Sequence, residues 1–206
     1  MVSKTTSVGV RVSHPVPFQK DSSMNFLFQK LDINLQNILG NLNQDVRTLE
    51  LPHFEEYFAD VNIKTINNLL YKKYKIDYFP NNVNLTKISP PGVGVHTDAF
   101  NVTINVYLNA RNSVTTFYRE LSEDSSTIIT KKNTKGEFQI KVYDEEKLEV
   151  ISRIKTKPGE ILLFNSSVPH SVAIPPSEPD RLIFRITWDS KYSYQDIYNN
   201  FNKISS

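Results

Sequence analysis

The sequence predicts an α+β chain, with helices first and an antiparallel β-sandwich or barrel after. Two observations carry this. Between residues 20 and 75, apolar side chains recur at spacings of three and four, the period of a helix face. From residue 83 the pattern becomes a series of short β-rich runs, divided by turn residues and with no helix between them. That arrangement calls for antiparallel pairing rather than βαβ units.

Residues 1 to about 20 are polar with scattered valines and read as an edge strand or an arm. Asp21 and Ser22 are good helix N-caps. Leu27, Leu31, Leu35, Ile38 and Leu39 then form one apolar face, with Gly40 placed to end the helix. Ile63, Ile66, Leu70 and Tyr74 share the face of a second helix, which stops before Phe79-Pro80. Both faces need a sheet to cover. Residues 83–88 and 102–108 alternate with period two, and further strands are expected at 114–118, 126–130, 137–143, 147–155, 160–164, 170–174 and 181–188. Pro90-Pro91-Gly92, Lys135-Gly136, Lys157-Pro158-Gly159 and Pro175-Pro176 mark turns between them. Tyr192 to Lys203 reads as a closing helix. With no repeat or linker in sight, residues 1–206 are expected to form one domain: an arm and helices (1–82), a β core (83–188) and a tail (189–206).

Composition narrows the function. At 39% hydrophobic and 22% charged residues, the chain has a folding composition rather than a disordered one. The net charge of +2 argues against a dedicated nucleic-acid binder. The absence of cysteine excludes disulfide scaffolds, thiol nucleophiles and Cys-ligated clusters. Any metal site must therefore use His and carboxylates, and the histidines are His14, His53, His96 and His170. The N-terminus has no apolar signal core, and no apolar run reaches membrane-span length. A soluble, cytoplasmic protein without a membrane partner is the expectation.

His96-Thr97-Asp98 is the most informative segment. In an extended chain residues i and i+2 point the same way, so His96 and Asp98 can offer a nitrogen and an oxygen to one metal. His170 follows the strand-like run 160–164 and a short Asn/Ser/Pro turn, and can supply the third ligand. Two His and one carboxylate make the facial triad of non-haem Fe(II) oxygenases, which leaves three coordination positions for a bidentate cosubstrate and O2. A lone His-x-Asp is more often a surface pair; here both histidine segments follow turns in the β-rich half. His14 and His53 have no partner at metal spacing and read as surface or helix-end residues. Trp188 reads as a packing residue.

The ordered set of motifs resembles the jelly-roll core of the 2-oxoglutarate/Fe(II)-dependent dioxygenases, most closely the prolyl 4-hydroxylase-like branch. The matching pieces are Pro91-Gly92, His96-Thr97-Asp98, Tyr107-Leu108-Asn109, then Lys157-Pro158-Gly159 with the apolar strand to Phe164, and Pro169-His170, over about half of the chain. The resemblance implies a double-stranded β-helix at 83–188 with the N-terminal helices packed outside one sheet. It implies His96, Asp98 and His170 as Fe(II) ligands, 2-oxoglutarate as cosubstrate with O2, and hydroxylation of a protein side chain or small molecule, with succinate and CO2 as coproducts. The cosubstrate's distal carboxylate needs a guanidinium. Arg181 and Arg185 alternate onto one face of the last strand with Thr187. The offset of Arg181 from His170 fits the branch better; Arg185 with Thr187 resembles the Arg-x-Ser variant of other branches. Thr103, Asn105 and Tyr107 share a face, and Thr103 and Tyr107 are candidate cosubstrate contacts or simply strand and core residues.

The chain also departs from the branch. Lys87 stands where a cosubstrate-binding tyrosine is usual, and Ser113 to Tyr118 replaces a small Gly-Gly stretch beside the substrate. The resemblance therefore does not carry a prolyl substrate. The charged stretch from Lys141 to Lys155 is a solvated edge or a cap over the substrate. Two rival readings stand beside the oxygenase: a cupin-like metal-binding jelly roll without 2-oxoglutarate-dependent activity, and a non-enzymatic binding module with a vestigial triad.

Overall fold

Period-two alternation in the second half of the chain leads to strands, and those at the centre of one sheet are buried on both faces. The structure, a computed structural model, describes residues 26–33, 35, 47–59, 61–80, 82–134 and 136–202. The strands are β1 (Phe28–Lys30), β2 (Arg47–Leu51), β3 (Phe54–Phe58), β4 (Asn82–Ile88), β5 (Gly92–Thr97), β6 (Val102–Asn109), β7 (Val114–Glu120), β8 (Ser126–Asn133), β9 (Gly136–Tyr143), β10 (Leu148–Lys155), β11 (Ile161–Asn165), β12 (His170–Ala173) and β13 (Arg181–Thr187). Helix α1 spans Ile63–Tyr74 and α2 spans Tyr194–Asn202.

One sheet has the order β1-β11-β6-β13-β4-β3-β2 and the other β10-β7-β12-β5-β9-β8. The cores of the two sheets, β11-β6-β13-β4 and β10-β7-β12-β5, form an eight-stranded jelly roll with antiparallel neighbours throughout. Three additions widen it. β1 pairs with β11, the β2–β3 hairpin with β4, and the β8–β9 hairpin with β5.

The first sheet carries two apolar faces. Its outer face gives Val102, Ile104, Val106, Leu163, Phe184 and Ile186 to a cluster with Ile66 and Leu70 of α1 and Ile197 and Phe201 of α2. α1 starts where Asn62 Oδ1 accepts from Lys64 N at 3.0 Å and ends at Lys75, which takes the left-handed conformation. Trp188 is fully buried in the same cluster and donates its indole N–H to the Tyr78 carbonyl at 2.7 Å, as its packing role requires. The inner face places Leu162, Phe164 and Ile183 against Phe117, Ile154 and Val172 of the second sheet. The helices thus cover the outside of one sheet, as expected, and leave the interior to the site.

One expected element is different. The helix expected from Asp21 to Leu39 is interrupted by β1, which pairs Phe28 with Phe164 and Lys30 with Leu162. Spacings of three and four in a short run do not exclude a strand. Here the open edge of β11 satisfies the backbone of Phe28–Lys30, and Leu27 enters the interior cluster while Leu35 joins the outer one. Asp21, Ser22, Ile38, Leu39, Gly40 and the arm before residue 20, with His14, lie outside the described residues. The β2–β3 hairpin was not anticipated; His53 lies in its turn, exposed and with φ of 59°.

Register between β5 and β12 matters most. Gly92 faces Ala173, Val93 faces Val172, and His96 faces His170, so three steps along β5 match two along β12. The extra residue is a β-bulge. It lets Val93 and His96, an odd number of residues apart, both line the interior. Gly92 fixes the start of this ladder. Its φ is 113°, and a Cβ there would lie 1.9 Å from the Val172 carbonyl oxygen. Gly92→Ala is expected to cost about 3 kcal/mol or more in urea denaturation; a change below about 0.5 kcal/mol would mean that the β5 edge yields without consequence.

Candidate metal centre

The three sequence-derived ligands converge. His96 is the penultimate residue of β5, His170 opens β12 directly opposite, and Asp98 lies just past the end of β5. The Asp98 segment is tied to the loop that delivers His170. Asp98 N donates to the Ser166 carbonyl at 3.1 Å, Ser166 N to the Asn101 carbonyl at 3.1 Å, and Ser166 Oγ to the Phe100 carbonyl at 2.7 Å. Asn165 Oδ1 accepts from the Ser167 backbone at 3.3 Å and its hydroxyl at 2.6 Å, which closes the turn. The Asn/Ser/Pro loop is therefore a clamp on the Asp98 loop as well as a connection.

Each imidazole is oriented by its own backbone. His96 Nδ1 lies 2.8 Å from the Gly94 carbonyl and His170 Nδ1 2.9 Å from the Val168 carbonyl. A carbonyl only accepts, so both Nδ1 atoms donate, which leaves Nε2 of each ring as the atom on offer to a metal. His96 Nε2 stands 3.6 Å from Asp98 Oδ1, and one donor atom from each of the three residues lies within 4.8 Å of the others. Cis ligands at the usual bond lengths are about 3 Å apart, so a bound ion would draw the triangle inward by about an ångström. The two rings are 4.5 Å apart at 50°, and Phe164 packs edge-on to His170 at 5.0 Å.

The electrostatics favour the ligating forms. Burial, reinforced by His96, pushes His170 down to about 3, so its ring is neutral at physiological pH. Burial opposes the charge on Asp98, but the Arg185 guanidinium beside it holds the carboxyl well below the usual carboxylate range. Arg185 donates to Asp98 Oδ2, and the side chains are only 11% and 15% exposed. Burial works against Arg185 too, and Asp98 outweighs it to keep the guanidinium charged.

The competing arginines thus have different surroundings. Arg181 is 2% exposed, donates to Thr115 Oγ1 at 3.0 Å, and stacks over Tyr107 with its guanidinium carbon 4.8 Å from the ring centroid. Its Nε, the Nε of Arg185 and the Tyr107 hydroxyl are all buried without hydrogen-bond partners. Burial pulls the Arg181 pKa down and Tyr107 resists this; the residue remains a cation. Arg181, Arg185, Tyr107, Asn105 and Thr115 meet His96, Asp98 and His170 at one interior cavity of about 40 Å³. Thr103 is not on its lining, and its hydroxyl donates to Asn105 Oδ1 at 3.1 Å. Lys87 points away from the interior and pairs with Glu55 at 3.3 Å and Asp180 at 3.4 Å. Thr115 was missed in the sequence; its place opposite Val172 in the β7–β12 ladder is a long-range pairing that local pattern does not encode.

A second cavity, about 280 Å³, opens on His96 and Asp98 from outside the barrel. Leu49, Leu51 and Phe54 of the first hairpin form one wall, and Ile129, Phe138, Ile140 and Val142 of the β8–β9 hairpin the other. The hairpins meet where Thr134 N donates to the Thr48 carbonyl at 3.2 Å. Of the two readings of the 141–155 stretch, β9 joins the wall of this cleft, while β10 forms the far edge of its sheet.

No protein-family model and no curated protein matches this chain. Among solved structures it is similar to vicilin from hazelnut, Corylus avellana, at 10% identity and a TM-score of 0.38, over 73% of this chain and 33% of that one. It is also similar to E. coli ycfD, at 12% identity and 0.39 over 66% and 33%, and to Bacillus subtilis oxalate decarboxylase, at 12% and 0.34 over 71% and 28%. The chain thus spans a minor part of each of these proteins, and the chemistry of its site rests on its own residues.

Removing Arg185 would leave Asp98 as an uncompensated charge inside the barrel. Arg185→Ala is expected to lose about 3 kcal/mol of stability in the metal-free protein, with part of it regained on adding Mn(II), whose charge replaces the missing guanidinium. A neutral effect in denaturant titrations would contradict the ion pair.

Proposed function

We propose that this protein is an Fe(II)- and 2-oxoglutarate-dependent dioxygenase that hydroxylates a small molecule or a protein side chain. The observation that carries the reading is the second buried arginine. Beside the His96/Asp98/His170 cluster, the same interior cavity presents Arg181, whose Nε lacks a partner, together with the unpartnered Tyr107 hydroxyl. Unpaired buried donors are costly unless a ligand satisfies them. A dicarboxylate that meets the metal at one end and Arg181 at the other would do so.

The donor set fits iron(II): two imidazoles and one ionised carboxylate, with outer hydrogen bonds that fix each side chain. Iron and 2-oxoglutarate, when bound, supply the oxidising chemistry, in which O2 delivers one oxygen atom to succinate, formed with loss of CO2, and one to the substrate. The chain's own residues do the positioning. His96 and His170 offer Nε2, Asp98 offers Oδ1 while Arg185 holds Oδ2, and Arg181 grips the distal carboxylate with Tyr107 and Thr115 beside it. Arg185 is already committed to Asp98, which favours Arg181 for the cosubstrate.

The rival reading, a metal-binding cupin-like jelly roll without 2-oxoglutarate-dependent activity, draws on one observation. The interior cavity of about 40 Å³ holds little more than a water molecule, so a five-carbon diacid must displace side chains to enter. Succinate formation separates the two readings. The oxygenase reading expects it to require both Fe(II) and 2-oxoglutarate and to stop on chelation. Arg181→Ala should weaken 2-oxoglutarate binding at least tenfold in calorimetry, about the loss of one charge-assisted contact, while Mn(II) still binds. Unchanged 2-oxoglutarate affinity in that variant would remove Arg181 from the role.

A further inference from the structure

The cleft between the two hairpins has a chemical character that points to its ligand. Along β8, Ile129, Lys131 and Asn133 alternate onto the cleft, and along β9 Phe138, Ile140 and Val142 do the same. The pairings Ile129 with Ile140 and Lys131 with Phe138 place these side chains on one face. The opposite face of the hairpin carries Thr130, Lys132, Gln139 and Lys141, all exposed. A free-standing hairpin has no reason to keep so apolar a face; this one encloses a volume against Leu49, Leu51 and Phe54.

Lys131 is the exception in that wall. It is half-buried, shares the lining of the cleft with Glu56 and Asp98, and is in no ion pair with a described carboxylate. Asp98 is held by Arg185, and Glu56 is itself engaged in another interaction. A cation set among Ile129, Phe138 and Leu51 loses hydration and gains stability from an anion that enters with the ligand. Distance suits this. Val142 lies opposite His96, and Phe138, the partner of Lys131, is four residues further along β9, about 13 Å in an extended strand. The flexible Lys131 side chain reaches back over part of that span.

We propose that the cleft binds a small monoanionic molecule with an apolar body, its carboxylate on Lys131 and its hydrocarbon part between the hairpins, so that a C–H bond faces His96 and Asp98. The volume of about 280 Å³ lies at the small end of ligand pockets and suits an aliphatic or aryl-alkanoic acid of about eight to ten carbons. This rests on the oxygenase reading for its chemical consequence, but not for binding.

The test uses octanoate and 4-phenylbutyrate, with octanamide and octylamine as uncharged and cationic counterparts, in calorimetric titrations of the metal-free full chain. The acids should bind, and octanamide and octylamine should bind at least about tenfold more weakly, the scale of one charge-assisted contact. Lys131→Gln should abolish that preference and Lys131→Arg should keep it, with unchanged melting temperatures as the check on folding. Phe138→Ala should weaken the acids and octanamide alike. Equal affinity for acid and amide, a preference retained in Lys131→Gln, or no binding of either acid would overturn the proposal. Succinate assays with each acid report separately on the reaction. Binding without Fe(II)-dependent succinate would uphold the ligand class and count against the oxygenase, whereas succinate without acid binding would do the reverse.

Discussion

The site depends on one strand pairing. β5 and β12 are neighbours in the second sheet, and their register sets His96 opposite His170. A one-residue slip in that ladder would turn one imidazole to the other face. The bulge between the His96 and Val93 pairings, the tight contact at Gly92 and the Ser166 clamp on Asp98 all act on the same register. The remaining architecture supports it: β13 and β6 supply the floor with its arginines and Tyr107, and the helices bury the outer face of that sheet so that its inner face is free for polar side chains.

Charge explains why this interior is demanding. Two arginines and one aspartate occupy it, with Asp98 and Arg185 neutralising one another and Arg181 left over. With His170 held neutral by burial, the interior carries a surplus positive charge among apolar walls. A divalent ion would enlarge that surplus, and a dicarboxylate bound with it would reduce it again. If the proposed function holds, metal and dianion would bind better together than either alone, by ordinary Coulomb attraction at low dielectric. Arg185 and Arg181, similar in sequence context, thus have different partners because only one is beside Asp98.

Much of this was legible in the chain. β4 and the strands from β6 onward follow from alternation and turn residues, whereas β5 was not among the expected strands. The absence of cysteine and the i, i+2 spacing pointed to His96 and Asp98, and His170 was added from its place after a strand-like run and from the family resemblance. The duties of the two arginines were not legible, because they depend on which arginine lies across the barrel from Asp98. Nor was β1, because the spacing of Leu27, Leu31 and Leu35 suits a helix and only the open edge of β11 decides for a strand. The β2–β3 hairpin escaped for a similar reason: its apolar residues, Leu49, Leu51 and Phe54, face a cleft that exists only once β8 and β9 stand opposite.

The central claim is that His96, Asp98 and His170 hold one metal ion. Anomalous diffraction from crystals grown with Mn(II) and 2-oxoglutarate tests it most directly. The account predicts one strong peak about 2.0–2.3 Å from His96 Nε2, His170 Nε2 and a carboxylate oxygen of Asp98, with density for the diacid running from it toward Arg181. A metal peak elsewhere, or none beside these residues at saturating Mn(II), would contradict it.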